Sequence, residues 1–284
     1  MDEKKAMMTG EVIDNRRRAP GHFLMSLRLP PSFITPVPGQ FVMIREAGRG
    51  EPLLARPLSV FDFHRCGDHV LLELLYRVAG KGTSLLSQMR KADKATLLGP
   101  LGKGFTRPAG IRRTLLVAGG VGVAPLHFLV RSGFSTAGAQ SPGSAVFYLG
   151  ARTADLLTGF EGFDGLCDLM ICTDDGSRGY RGPVTDLLKS DIDGYDPDEA
   201  ILYACGPAPM VGALARILDN RLIPCQVSLE ERMASGIGAC LGCAIALGGP
   251  GRKTEYGKVC EDGPVFDLRE IHPTAPVDPR ENCP

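Results

Sequence analysis

The chain has 284 residues, enough for about two domains of roughly 150 residues each and a small appendage. Its 32 basic and 32 acidic residues cancel, which speaks against a nucleic-acid footprint or an electrostatic membrane anchor and leaves small molecules or proteins as the expected partners. Nine cysteines, 36 glycines and 22 prolines point away from a secreted disulfide framework and towards thiol or metal chemistry in a reducing cytoplasm, carried on short strands and tight loops.

The N-terminal MDEKKAMMTGE is charged and lacks the apolar core of a signal peptide, and no run of about eighteen apolar residues predicts a membrane span. Residues 1–108 read as short apolar runs split by turn signals: FLMSLRLP, QFVMIRE, LSVFDF, HVLLELLYRVA and ATLLGP. That spacing predicts an antiparallel β-barrel or sandwich. Arg56, Pro57, Leu58 and Ser59 open one of its strands, and Leu75, Tyr76, Arg77 and the Gly80-Lys81-Gly82-Thr83 turn follow. A strand-edge proline and an exposed arginine are also ordinary structure. In combination they offer a planar guanidinium for a pyrophosphate, a hydroxyl for a flavin nitrogen, and glycines that let backbone N–H groups approach phosphate oxygens.

From 109 to 225 the pattern changes to strand, glycine turn and helix, with RTLLVAGG, PLHFLVRSG, SAVFYLG, LMICTDDG, VTDLLKS, ILYACGP and PMVGALARILDN in succession. This alternation predicts an α/β parallel sheet with crossover helices. Gly119 to Pro125 follow a strand and open a helix, as a dinucleotide loop requires, with Pro125 in the third glycine's place. Proline is tolerated in a first helical turn, so the helix N-terminus can still face a pyrophosphate. No acidic residue ends the second strand; Arg152 there is either a 2'-phosphate contact or a surface residue. Cys205, before Gly206-Pro207, ends a strand at the ligand-binding edge of the sheet and is either a buried thiol or a ligand neighbour. The five histidines show no metal-ligand spacing, and Asp174 and Asp175, adjacent on a strand, point to opposite faces.

Residues 226–284 carry MASGIGACLGC, then Cys260, then a proline-rich tail expected to be partly mobile. Cys240 and Cys243 share a glycine-rich loop, with Ser235 five residues upstream. A structural zinc site of Cys240, Cys243, Cys260 and Cys283 is the non-catalytic alternative.

In order along the chain, RPLS, LYR, GKGTSLL, LLGPLGKGF, VAGGVGVAPL, TDDGSRGYRGPVTDLL, YACGPAPM and LEERMASGIGACLGC to VCEDGPVF resemble the electron-transfer subunits of class 1B dihydroorotate dehydrogenase, in the ferredoxin-NADP reductase superfamily. The resemblance covers nearly the whole chain. It implies a FAD-binding β-barrel domain at 1–108, a NAD-binding α/β domain at 109–225 and a [2Fe-2S] module at 226–284. It would place Arg56, Pro57, Leu58, Ser59, Leu75, Tyr76, Arg77, Gly82 and Thr83 around the flavin. Gly120, Gly122 and Pro125 would face the NAD pyrophosphate, with Cys205 near the nicotinamide. Cluster ligands would be Cys240, Cys243 and Cys260, while Ser235 stands where family members carry a further cysteine.

The implied partner is an FMN-containing catalytic subunit that oxidises dihydroorotate to orotate in pyrimidine biosynthesis, in a heterotetramer of two of each chain. Its electrons would cross the cluster and FAD to NAD. A flavin and iron-sulfur subunit of an NAD(P)H-ferredoxin oxidoreductase or sulfide dehydrogenase is the alternative, to which Arg152 and the oxygen at 235 lend weight.

Overall fold

A computed structural model of the chain describes residues 6–133, 145–248 and 254–271. The first sheet holds β1 (Ala6–Ala19), β2 (His22–Leu29), β3 (Phe41–Glu46), β4 (Arg56–Ser59), β5 (Asp62–Cys66), β6 (His69–Arg77) and β7 (Lys94–Leu101), with a short helix α1 (Lys81–Leu86) before the last strand. Its order is β4-β3-β7-β1-β2-β6-β5, with every paired neighbour antiparallel. Alternate residues Met25 and Leu27, Leu72 and Leu74, and Val42 and Ile44 turn inward onto one core with Phe33 and Tyr76.

Two sequence expectations change here. The barrel is a half-barrel: its edge strands β4 and β5 do not pair with each other, although only Val60 and Phe61 separate them in the chain. The turn is anchored instead by Val60 N–H to Gln40 O and Phe61 N–H to Glu73 O. The second change is β1, which lies between β7 and β2 although its Arg16-Arg17-Arg18 run carries no apolar alternation.

The second sheet contains β8 (Arg113–Gly119), β9 (Ala145–Ala151), β10 (Asp168–Thr173), β11 (Tyr180–Arg181), β12 (Ala200–Cys205) and β13 (Cys225–Ser228), all parallel. Helix α2 (Val123–Arg131) covers one face, and α3 (Val184–Asp191) and α4 (Ala208–Leu218) cover the other. Both faces are thus apolar, which accounts for the uninterrupted burial of Ala200–Cys205. The cysteine segment adds a hairpin of β14 (Ala244–Leu247) and β15 (Glu255–Lys258), then β16 (Val265–Asp267), which pairs antiparallel with β13. The division expected at 225 therefore falls at the first residue of β13, and the sheet takes back a strand from the last segment. Cys283 and most of the proline-rich tail lie outside the described residues.

The two sheets meet through Leu24, Phe61 and Leu75 of the first and Val123, Leu126 and Phe163 of the second. His127 on α2 is 4% exposed and stacks on Phe61 with ring centroids 3.8 Å apart. Its Nδ1 lies 2.8 Å from the Gly159 carbonyl, which can only accept, so Nδ1 carries the proton and donates. Nε2 then faces Asp62 Oδ2 at 3.9 Å. Burial pushes the imidazole down to about 4, against the opposing pull of the Gly159 bond and the Asp62 charge.

An unfolded histidine takes up its proton near its ordinary value of 6.5, so between about pH 4 and that value the unfolded chain binds more protons than the folded one. This contribution is complete above the unfolded value and is lost as pH falls towards about 4, by up to about 3 kcal/mol. His127→Gln should flatten that part of the profile. Urea midpoints at about pH 7.5 and about pH 5 check it: a wild-type-to-variant difference equal at both would exclude His127 as the titrating group.

Candidate functional site

Three groups of residues converge where the sheets and the cysteine hairpin meet. In the first, Arg56 opens edge strand β4 and turns its guanidinium over the first turn of α1. Its Nη2 donates to the Leu54 carbonyl at 2.8 Å, while its buried Nε has no partner. A Cβ on Gly82 would lie 2.6 Å from that Nε, so only glycine leaves the guanidinium its place. Thr83 Oγ1 accepts from the N–H groups of Ala79 (2.8 Å) and Gly80 (3.2 Å) and fixes the turn. Pro57, Leu58 and Ser59 pair with Met43, Val42 and Phe41, all half-buried, and Pro57 sits on an edge strand where its missing N–H costs no ladder bond. An orphaned cationic donor beside a glycine notch fits the pyrophosphate of a flavin dinucleotide.

Strand alternation divides the LYR triplet. Leu75 points to the contact between the sheets, Arg77 is exposed, and Tyr76 points the opposite way into the half-barrel core. Burial raises the Tyr76 phenol, which donates to Asn15 Oδ1 at 3.0 Å. Asn15 Nδ2 donates in turn to the carbonyls of Leu86 and Met89 at the end of α1. The Tyr76 side chain thus braces the helix beside Arg56 from within the half-barrel core.

The second group lies at the carboxyl edge of the parallel sheet. Gly120 has φ +57° and open space at its Cβ position, so its backbone is free to approach a ligand. A Cβ on Gly122 would stand 2.2 Å from the Cys205 carbonyl oxygen, which makes glycine obligatory where the loop crosses the end of β12. Pro125 is buried within the first turn of α2. Cys205 is also buried; desolvation, then the Glu230 charge, hold its thiol well above the usual range while a Ser228 hydrogen bond works against them. It stays a neutral thiol. Glu230, not singled out from the sequence, lies two residues past β13; desolvation raises its carboxyl and the Arg77 charge lowers it. Its only sequence signal was its position in LEERMAS.

The third group is the cysteine loop. Ser235 Oγ lies 3.4 Å from Cys240 Sγ, and Cys243 and Cys260 hydrogen-bond to each other. Cys260 Sγ also accepts from the Gly238 N–H at 3.2 Å. The Ser235 hydroxyl, followed by the Gly242 N–H, lowers the half-exposed Cys240 thiol to about 7, whereas burial and the Cys243 bond push Cys260 up to about 11. Among the described residues no three His, Cys, Asp or Glu side chains gather around one point. Thiol-rich ligand sets are those of iron-sulfur centres, and Cys283, the fourth thiol of the zinc alternative, lies outside the described residues. These residues fit an iron-sulfur centre with one oxygen ligand.

The loop is packed onto the first sheet. Met43 and Leu101 of the first sheet form one cluster with Met233, Cys243, Val259 and Cys260, and Met43 pairs with Pro57 across β3 and β4.

A family model described as the iron-sulfur cluster binding domain of dihydroorotate dehydrogenase B matches residues 230–272, and one described as an oxidoreductase NAD-binding domain matches 116–216. The chain is 43% identical over 238 residues to the "Dihydroorotate dehydrogenase B (NAD(+)), electron transfer subunit" of Bacillus caldolyticus, an alignment covering 82% of this chain and 86% of that one. This chain belongs to the family of dihydroorotate dehydrogenase B electron transfer subunits. The family member from Caldanaerobacter subterraneus subsp. tengcongensis is 40% identical over 264 residues, 93% of this chain and 98% of its own. Among solved structures, an NADH-dependent reduced ferredoxin-NADP oxidoreductase studied for flavin-based electron bifurcation is 29% identical, with TM-score 0.78 over 96% of this chain and 91% of that one.

Arg56→Ala should weaken flavin retention about ten- to a hundredfold, the equivalent of about 1.5–3 kcal/mol for a charge-assisted contact, with little change in circular dichroism. Gly82→Ala should act the same way by displacing the guanidinium. Full flavin occupancy in both purified variants would show that the flavin lies elsewhere.

Proposed function

We propose that this chain takes electrons from a flavoprotein partner that oxidises dihydroorotate to orotate and relays them through a [2Fe-2S] cluster and FAD to NAD. The observation that carries this reading is the packing of the paired-ligand loop against β3, one strand from Arg56-Pro57-Leu58-Ser59. When bound, the cluster supplies one-electron transfer and the flavin supplies hydride transfer to the nicotinamide.

The protein's own part is placement. Arg56, Gly82 and Thr83 hold the flavin's phosphates, and Leu58, Ser59 and Leu75 border its ring. Gly120 and Gly122 carry the backbone that receives the NAD pyrophosphate, while the neutral Cys205 packs at the nicotinamide without exchanging a proton. Ser235 and Cys240 form one ligand pair, Cys243 and Cys260 the other. The exposed Leu241, 79% accessible between two of these ligands, and the exposed Ile237 give the partner an apolar surface at the point of electron entry. We propose an FMN-containing catalytic subunit as that partner, in an assembly of two of each chain, and the three segments 1–108, 109–225 and 226–284 as the FAD, NAD and cluster units, with β13 and β16 shared as described. No helix among the described residues is long and apolar enough to cross a membrane, and the thiol-rich composition supports a cytoplasmic setting.

A second reading, a subunit that exchanges electrons with ferredoxin and NAD(P)H, is favoured by Ser235 and by the likeness to the ferredoxin-NADP oxidoreductase structure.

Purified alone, the chain should reduce artificial acceptors with NADH and fail to oxidise dihydroorotate until the catalytic subunit is added; robust oxidation by the isolated chain would refute the division of labour. Iron prefers thiolate to alkoxide, because a serine hydroxyl holds its proton far more tightly. Ser235→Cys should therefore raise iron content per chain and slow bleaching in air. Equal iron and equal bleaching rates would remove position 235 from the ligand set.

A further inference from the structure

We propose that Lys258 is a positioning residue for the iron-sulfur centre: its ammonium joins the two loops that carry the ligands and offsets the carboxylates beside Cys260, raising the centre's reduction potential. This rests on the reading above that the paired ligands hold a cluster.

Lys258 ends β15, two residues before Cys260. Its Nζ donates to the Gly238 carbonyl at 3.0 Å and pairs with Glu261 Oε2 at 2.5 Å. Gly238 sends its own N–H to Cys260 Sγ, so the residue that receives the ammonium also supports a ligand sulfur. A Cβ at Gly238 would lie 2.2 Å from Glu261 Oε2, which shows how closely the carboxylate is set into the loop. Asp262 Oδ2 accepts the Lys258 backbone N–H at 2.8 Å, and Val259 N–H donates to the Cys243 carbonyl at 3.0 Å. One cation therefore touches the 235–243 loop and the 258–262 turn at once.

The electrostatic consequence has a sign. Reduction adds an electron to a centre already surrounded by anionic ligands, and the local net charge is one of the quantities that set its potential. Without Lys258, the carboxylates of Glu261 and Asp262 flank Cys260 with their cation gone, and reduction becomes harder. Without the Glu261 carboxylate it becomes easier. A brace with no electrical role would loosen the centre in either variant and give no such opposition.

The test uses the full chain, purified without oxygen, as wild type, Lys258→Met, Lys258→Arg and Glu261→Gln. Iron content, bleaching half-life in air and the midpoint potential of the reduced centre's EPR signal are measured, with flavin content as the check on folding. Lys258→Met should bleach about threefold faster or more and titrate at a more negative potential. Lys258→Arg should restore both, and Glu261→Gln should titrate at a more positive potential. Unchanged potentials, or shifts of the same sign in Lys258→Met and Glu261→Gln, overturn the proposal; should Lys258→Met lose its flavin, the other two variants decide. Absence of iron and of the EPR signal from the wild-type chain would instead overturn the cluster reading itself.

Discussion

Everything in the proposed electron path depends on a close approach at Gly236. This residue has φ +72°, and a Cβ there would come within 2.5 Å of Met43 Cγ. Glycine thus lets the cysteine loop lie directly against β3, whose other neighbours are β4 and β7. A side chain there would press on Met43, at one of the contacts that bring ligand-bearing backbone close to β3. Single-electron transfer weakens steeply with separation, so in the proposed path this contact bears on function as well as on packing.

The nucleotide end obeys a similar constraint with a different result. Gly119, Gly122 and Gly206 crowd around the ends of β8 and β12, where added Cβ atoms would strike Met210, Pro207 and the Cys205 carbonyl. The crowding leaves the Cys205 thiol buried and protonated, so the edge of the site nearest β12 is apolar and closed to solvent. Such a wall suits hydride transfer, in which the protein aligns rings and keeps water away, better than it suits acid-base chemistry.

The loops were legible in the sequence and the long-range closures were not. GGVGVAP and CLGC announce themselves because their geometry is local, a positive φ or a two-residue spacing that neighbouring residues determine. The central strand Ala6–Ala19 was hidden because Asp14, Asn15 and three arginines erase the period-two pattern, although pairing with β2 and β7 satisfies its backbone. Tyr76 was expected at the flavin from its place in a motif, whereas strand alternation turns its side chain into the half-barrel core. The return of Val265–Asp267 to the second sheet was illegible for a further reason: three residues carry too little periodicity to say which edge they will join.

That returning strand has a mechanical meaning. The cysteine hairpin is tied to the first sheet through its apolar cluster and the Lys103–Pro264 bridge, and to the second through β13 and β16, while the two sheets also touch each other. Three bodies joined pairwise form a triangle, and a triangle cannot shear without lengthening a side. A hinge between the two sheets would have to strain the hairpin as well, so spacing among the three candidate sites is held by triangulation and does not rely on the stiffness of any one linker.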